Sequence, residues 1–136
     1  MTEQNEPRLR PHPAERFAGT EAVIHLDEVF EELAGEDHPG NQGHRQITVF
    51  KRGPVTMVAF LFERDGLLPE HSARGLVTIQ AIVGELLVDT PGEEYRLEEQ
   101  MCVILAPNVP HSVRAVTPSK MLLTVHLEES QAGEAR

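Results

Sequence analysis

Three histidines stand inside otherwise apolar, strand-like segments, and they are the residues of this chain whose type and setting favour chemistry. His71 lies in LLPEHSARGLVTIQAIVG, His111 in APNVPHSVRAV and His126 in KMLLTVHL. Imidazole binds Zn, Cu, Fe and Ni, and it also exchanges hydrogen bonds with organic groups. If the strand faces that carry these side chains all turn inward, three histidines converge among small apolar residues.

Strand alternation identifies the neighbours of these histidines, because every second residue of an extended strand shares one face. His71 and His111 share their faces with small or branched apolar residues, and His126 shares its face with Leu122 and Thr124. No catalytic residue is assigned. The predicted ligand pocket is lined by His71, Ala73, Val77, Ile79, His111, Val113, Ala115 and His126.

The elements that must position this pocket are one short helix followed by strands. Apolar residues recur at helical spacing between Ile24 and Ala34, which predicts the helix. From Gln46 to Leu127 the chain is a series of short β-branched or alternating runs separated by turn residues, with Pro91-Gly92 as the clearest hairpin. Strands at this even spacing are typical of an antiparallel all-β sandwich or barrel.

Length and composition predict a single domain. The 136 residues are 25% charged and 40% hydrophobic, as in an ordinary globular protein. We expect a flexible N-terminal segment over residues 1–21, a barrel domain over 22–128 and a flexible tail over 129–136. No run approaches the roughly 18 apolar residues of a membrane span, and the N-terminus is polar, so we expect a cytoplasmic protein. The single cysteine, Cys102, excludes an internal disulfide and is predicted to be a small buried hydrophobe.

The charge balance excludes two classes of partner. The formal net charge is −10, from 22 acidic and 12 basic residues. A field of this sign repels phosphate backbones and anionic lipid headgroups. Aromatic residues make up 4% of the chain and there is no tryptophan, so stacking platforms for single-stranded nucleic acid are also missing. We therefore expect neither a nucleic-acid nor a membrane partner.

The order of strands, turns and histidines resembles the cupin superfamily over roughly Gly53 to Leu127. The first cupin motif runs glycine, five residues, His-x-His, three or four residues, Glu, six residues, Gly. Aligned on Gly84, His71 matches its first histidine, whereas Ala73 and Val77 stand at its second histidine and its glutamate. The leading glycine, Gly66, lies one residue nearer than in the motif.

The second cupin motif is also matched in part. It runs Gly, five residues, Pro-x-Gly, two residues, His, three residues, Asn, and His111 matches its histidine. The glycine, proline, glycine and asparagine positions are held by Gln100, Ala106, Asn108 and Ala115, with Pro107 and Pro110 nearby. The resemblance implies a cupin-type β-barrel, a double-stranded β-helix or jelly roll, in which two of the four usual metal ligands are missing.

Several functions for the histidines stay open at this point. They can be barrel-mouth side chains bonded to backbone or water, they can bind a small organic ligand, or they can hold a metal. In the metal case His71, His111 and His126 are the predicted ligands of one divalent transition ion (Zn, Ni, Fe, Mn or Cu). The resemblance then implies a metal-dependent oxygenase or isomerase as the alternative to a small-molecule binding protein.

Two further expectations concern the rest of the chain. The family's usual assembly and the open edges of a barrel sheet predict a homodimer, with Gln46 to Lys51 as the candidate interface strand. The remaining histidines lie in tail, helix or loop regions and are predicted to be solvated, although His44 is close to a strand. They are His12, His25, His38 and His44.

Overall fold

A computed structural model describes residues 20–37 and 39–128 of the chain. The two predicted flexible ends lie outside the described residues, apart from residues 20 and 21. Helix α1 (Leu26–Ala34) comes first, as its spacing predicts, and strands follow. The strands are β1 (His44–Arg52), β2 (Val55–Phe62), β3 (Leu67–His71), β4 (Gly75–Val83), β5 (Leu86–Thr90), β6 (Glu93–Leu97), β7 (Cys102–Leu105), β8 (His111–Ala115) and β9 (Ser119–Leu127).

The strands form two antiparallel sheets, which confirms the predicted all-β jelly-roll architecture. The five-stranded sheet has the order β1-β2-β9-β4-β7, and the four-stranded sheet has the order β3-β8-β5-β6. Strands that are distant in sequence are therefore neighbours in each sheet. Pro91 and Gly92 form the two-residue loop between β5 and β6, where Thr90 pairs with Glu93.

The main core lies between the two sheets and follows the alternation of each strand. On β4 the residues Val77, Ile79 and Ala81 face inward, and on β8 Val113 and Ala115 do the same. Fully burying a side chain of the size of valine or isoleucine contributes about 1.5–3 kcal/mol each. The sheets are held together chiefly by these apolar contacts.

Helix α1 closes a second, smaller core on the outside of the five-stranded sheet. Its buried residues Phe30 and Leu33 pack with Ile47, Val49 and Ala59 of β1 and β2. The acidic residues in its first turn stabilise the helix, because their negative charges lie near the positive end of the helix dipole. The helix covers only the β1 and β2 side of the sheet. In the part of the chain that the structure describes, no helix is long and apolar enough to cross a bilayer.

The predicted burial of Cys102 is wrong, because the phase of β7 turns this side chain outward. Val103 and Leu105 are the β7 residues that contact the main core. Cys102 and Ile104 alternate with them and therefore lie on the outer face, where Cys102 is exposed and Ile104 is 60% exposed.

Candidate ligand site at the barrel mouth

The pairing of β3 with β8 brings His71 and His111 directly opposite each other. Leu68 pairs with Val113 and His71 pairs with His111, so three steps along β3 match two steps along β8. The extra residue is a β-bulge. It contains Pro69, which has no N–H to donate and is therefore suited to a bulge on an edge strand.

A second contact holds the flanking segments of the two histidines together. The backbone N–H of Asn108, in the loop before β8, donates to the carbonyl oxygen of Ala73, just after β3, at 2.8 Å. Asn108 has a φ of 68°, a left-handed conformation that asparagine adopts more readily than most residues. The loop that approaches His111 is therefore anchored on the chain that follows His71.

The two imidazole rings share one hydrogen-bonding arrangement. Their centroids are 4.3 Å apart and the ring planes are inclined by 59°. Nδ1 of His71 lies 2.9 Å from the carbonyl oxygen of Pro69, and Nδ1 of His111 lies 3.0 Å from that of Val109. Because a carbonyl only accepts, each Nδ1 must carry the proton and donate. The Nε2 of each neutral ring is then a lone-pair acceptor.

His111 is the group whose hydrogen bonding is incomplete. Its side chain is 1% exposed, and its buried Nε2 has no hydrogen-bond partner among the described residues. Burial lowers the pKa of His111, the bond to Val109 opposes this, and the neighbouring His71 lowers the pKa further. The ring is therefore neutral at pH 7. A buried acceptor left unpaired costs about 1–3 kcal/mol.

The interior below the histidines is packed at four of the predicted pocket residues. Ile79, Val113 and Ala115 are 0% exposed and Val77 is 2% exposed. A space that holds a ligand, or even one water, leaves accessible surface on its walls. These four residues therefore belong to the main core. Ala73 is half-buried at the edge of that core.

The structure does not bring His126 to the other two histidines. Leu123 and Val125 are the β9 residues that contact the main core, so His126 lies on the opposite face of the sheet, where it is exposed. Within residues 20–37 and 39–128 there is no group of three or more His, Cys, Asp or Glu side chains arranged to hold a metal ion. With Ala73 and Val77 at two ligand positions, the described residues do not fit the cupin metal site.

His44 is buried, so its predicted solvation is wrong. It is 5% exposed and lies against two aromatic rings, with centroids 5.4 Å from Phe60 and 5.5 Å from Phe62. Its Nδ1 donates to the carbonyl oxygen of Leu67 at 2.9 Å, so its Nε2 is an acceptor. That atom is 3.0 Å from the side-chain amide of Gln46, whose NH₂ group donates to it when the amide oxygen and nitrogen exchange places. Both ring nitrogens are thus hydrogen-bonded, and the residue joins the start of β1 to the start of β3.

A surface cavity of about 210 Å³ adjoins His44, between the end of α1 and the start of β1. Its lining residues are Glu36, Pro39, Gly40, Asn41, His44, Arg45 and Gln46. Of the other histidines outside the strands, His25 is exposed, as expected, and His12 and His38 lie outside the described residues.

Solved structures with the same architecture carry the cupin name. A cupin superfamily protein from Desulfitobacterium hafniense matches with a TM-score of 0.62 and 15% identity, over 91% of this chain and 96% of its own. An RmlC-like cupin from Desulfovibrio desulfuricans matches with a TM-score of 0.60 and 25% identity, over 68% and 90%.

A conserved protein of unknown function from Streptococcus pyogenes matches with a TM-score of 0.61 and 22% identity, over 67% of this chain and 80% of its own. Neither a sequence-family model nor a curated protein sequence matches the chain. The structural neighbours confirm the predicted resemblance at the level of fold, and the chain has the cupin fold.

Proposed function

We propose that this cupin-fold chain binds a small organic ligand at the barrel mouth, through hydrogen bonds that the ligand donates to the Nε2 atoms of His111 and His71. The observation that carries the proposal is the buried Nε2 of His111, for which residues 20–37 and 39–128 supply no hydrogen-bond partner. A donor that reaches this atom removes an unfavourable free-energy term of the free protein. Binding sites commonly combine an apolar surface with a few placed polar groups of this kind.

The state of the two rings defines what the ligand must offer. Both imidazoles use Nδ1 to donate to their own backbone, so both present an acceptor at Nε2. The ligand therefore needs an O–H or N–H group that is present at neutral pH, as in an alcohol, a phenol or an amine. The half-buried Ala73 and Val109 offer apolar contacts beside the rings. The exposed His71 packs against His111, so entry requires the His71 ring to move aside.

A divalent transition metal is the second candidate occupant, because the same two lone pairs are ligand atoms. A bound metal would supply a Lewis acid with open coordination positions. Stable protein sites usually take at least three protein ligands, and here two imidazoles are available. A metal at this site is therefore expected to bind weakly and to be released as pH falls, since imidazole coordinates only when neutral. The metal-dependent oxygenase or isomerase alternative needs the third ligand as well.

The proposal is tested by ligand discovery with matched variants. Small molecules that co-purify with the protein are identified by mass spectrometry, and a panel of alcohols, phenols and amines is screened by thermal shift and NMR titration. A compound that binds the wild type should lose its binding in His111→Leu and bind more weakly in His71→Ala. His126→Gln, on the outer face, is the control and should bind normally. Binding that survives His111→Leu would contradict the proposal.

Calorimetric titration of the metal-free protein with Zn²⁺ separates the second candidate from the first. Under the organic-ligand proposal, Zn²⁺ binds no more tightly than roughly 10⁻⁴ M, which corresponds to about 5.5 kcal/mol. If one equivalent binds at micromolar affinity and this binding is lost in both His71→Ala and His111→Leu, the site is a metal site and the organic-ligand proposal is wrong.

A further inference from the structure

The two Nε2 atoms at the barrel mouth form a pair of acceptors. His71 and His111 lie directly opposite each other in the antiparallel pairing of β3 and β8. Each ring turns its Nδ1 back along its own strand, to the carbonyl oxygen two residues earlier. Because the strands are antiparallel, the two Nδ1 atoms turn apart, and each ring keeps its Nε2 at the end away from its own backbone. The site therefore presents two acceptors on rings whose centroids are 4.3 Å apart.

A pair of acceptors selects the kind of donor group that fits between them. A hydroxyl group has one proton to donate, so it satisfies one Nε2 and turns a lone pair towards the other. An NH₂ group has two protons, and it bridges two acceptors up to about 5.8 Å apart when each hydrogen bond is about 2.9 Å long. The ring separation of 4.3 Å is compatible with such a bridge. A primary nitrogen therefore fits the pair better than a hydroxyl.

The burial of His111 determines the charge that this nitrogen should have. The side chain is 1% exposed, and burial lowers the pKa of its ring, which means that the position disfavours a positive charge. The net charge of −10 attracts an ammonium group from a distance, but that group loses much more free energy on leaving water than an uncharged one does. The same net charge repels an anion. An uncharged donor group is therefore favoured.

We propose, resting on the proposed function, that the ligand enters this site with an uncharged primary NH₂ group, as in an aromatic amine or a primary carboxamide. One proton is donated to the Nε2 of His111 and the other to the Nε2 of His71, whose ring returns over the ligand after entry. The remainder of the molecule lies against the half-buried Ala73 and Val109. Every ligand of the site needs His111, and His71 determines which donor group is preferred.

NMR titration of the wild type at pH 7.5 with four small probes tests the proposal. Aniline is uncharged at this pH and has two N–H protons, whereas N-methylaniline and phenol each have one proton to donate. We expect aniline to bind about 3- to 10-fold more tightly than either, which is the effect of one additional hydrogen bond. Phenol controls for a steric effect of the methyl group. Benzylamine, which is a cation at pH 7.5, should bind more weakly than aniline.

Matched variants assign the preference to one ring. His71→Phe keeps an aromatic ring but removes the second acceptor, so phenol should still bind and the preference for aniline over phenol should disappear. His111→Leu should remove the binding of both compounds. His126→Gln should leave both affinities and their ratio unchanged, because this side chain is exposed on the opposite face of the sheet.

The outcomes separate this inference from the proposed function on which it rests. Phenol that binds and is lost in His111→Leu, while aniline binds no more tightly, overturns the inference and supports the proposed function. Aniline that does not bind at millimolar concentration, or a preference for aniline that survives in His71→Phe, also overturns the inference. Binding of either compound that survives His111→Leu contradicts the proposed function itself. The comparison of the probes uses the wild type, so it decides the matter even if a variant fails to fold.

Discussion

His44 and His111 are both buried, and they show that burial alone does not mark a functional histidine. They are 5% and 1% exposed, and each packs against at least one other ring. Both nitrogens of His44 are hydrogen-bonded, to Leu67 and Gln46, whereas Nε2 of His111 has no partner in the part of the chain that the structure describes. The first residue is complete within the protein. The second keeps one ring nitrogen that no described residue satisfies.

The two histidines also contact opposite ends of one strand, β3. His44 bonds to Leu67, the first residue of β3, and His111 pairs with His71, the last residue of β3. At the first end of β3, the His44 ring is hydrogen-bonded among aromatic side chains. At the last end, the Nε2 atoms of His71 and His111 are hydrogen-bond acceptors at the barrel mouth. Stability should depend more on the first end and binding more on the second.

The largest expected effect comes from Val77→Glu, which places a carboxyl group in the packed core below the mouth. Val77 is 2% exposed, and an unpaired buried charge costs about 3–5 kcal/mol or forces protonation. We expect a lower free energy of unfolding in urea for the metal-free variant. Added Zn²⁺ or Mn²⁺ should recover part of it, because Val77 stands at the glutamate position of the first cupin motif and a metal bound only by the folded state stabilises that state. An unchanged melting temperature, with and without metal, would contradict this.

The second effect compares the two histidines directly. His44→Ala removes two hydrogen bonds and the ring packed against Phe60 and Phe62, so we expect it to lower the free energy of unfolding by about 2–4 kcal/mol. His111→Leu loses one hydrogen bond but also removes the unpaired nitrogen, so we expect a change below about 1 kcal/mol. Urea unfolding of both variants beside His126→Ala, an exposed control, measures the difference. Equal decreases in the free energy of unfolding for His44→Ala and His111→Leu would contradict this expectation.

The sequence predicts the fold and the histidine pair for the same physical reason. Turn residues divide the chain into short runs, and the alternation within each run puts His71 and His111 in phase with the apolar core positions of their segments. The alternation does not predict the bulge between Leu68 and His71, although Pro69 is its visible signal in the sequence. The alternation within one strand segment does not say which distant strand it pairs with. The order of the strands in each sheet is therefore known only from the structure.

The errors share a cause as well. Alternation divides a strand into two faces but does not say which one points inward, and β9 has an apolar residue on each, since Leu122 packs towards α1 and Leu123 towards the main core. The predicted inward orientation of His126 is therefore wrong. His44 was missed because Gln46 and Thr48 make its own face of β1 polar, and the aromatic residues that bury it come from β2.

The smallest effect is a pH dependence of stability that follows from the burial of His111. The pKa of His111 is lowered from its ordinary value of 6.5 because burial disfavours the charged ring. Between the folded and the unfolded pKa the unfolded chain binds more protons, so stability decreases as pH falls below about 6.5. His111→Leu should remove this component, and the variant should gain on the wild type in free energy of unfolding between pH 7.5 and pH 5. Urea midpoints measured across this range check the expectation, and parallel curves for the two proteins would show that His111 is not buried as a neutral ring.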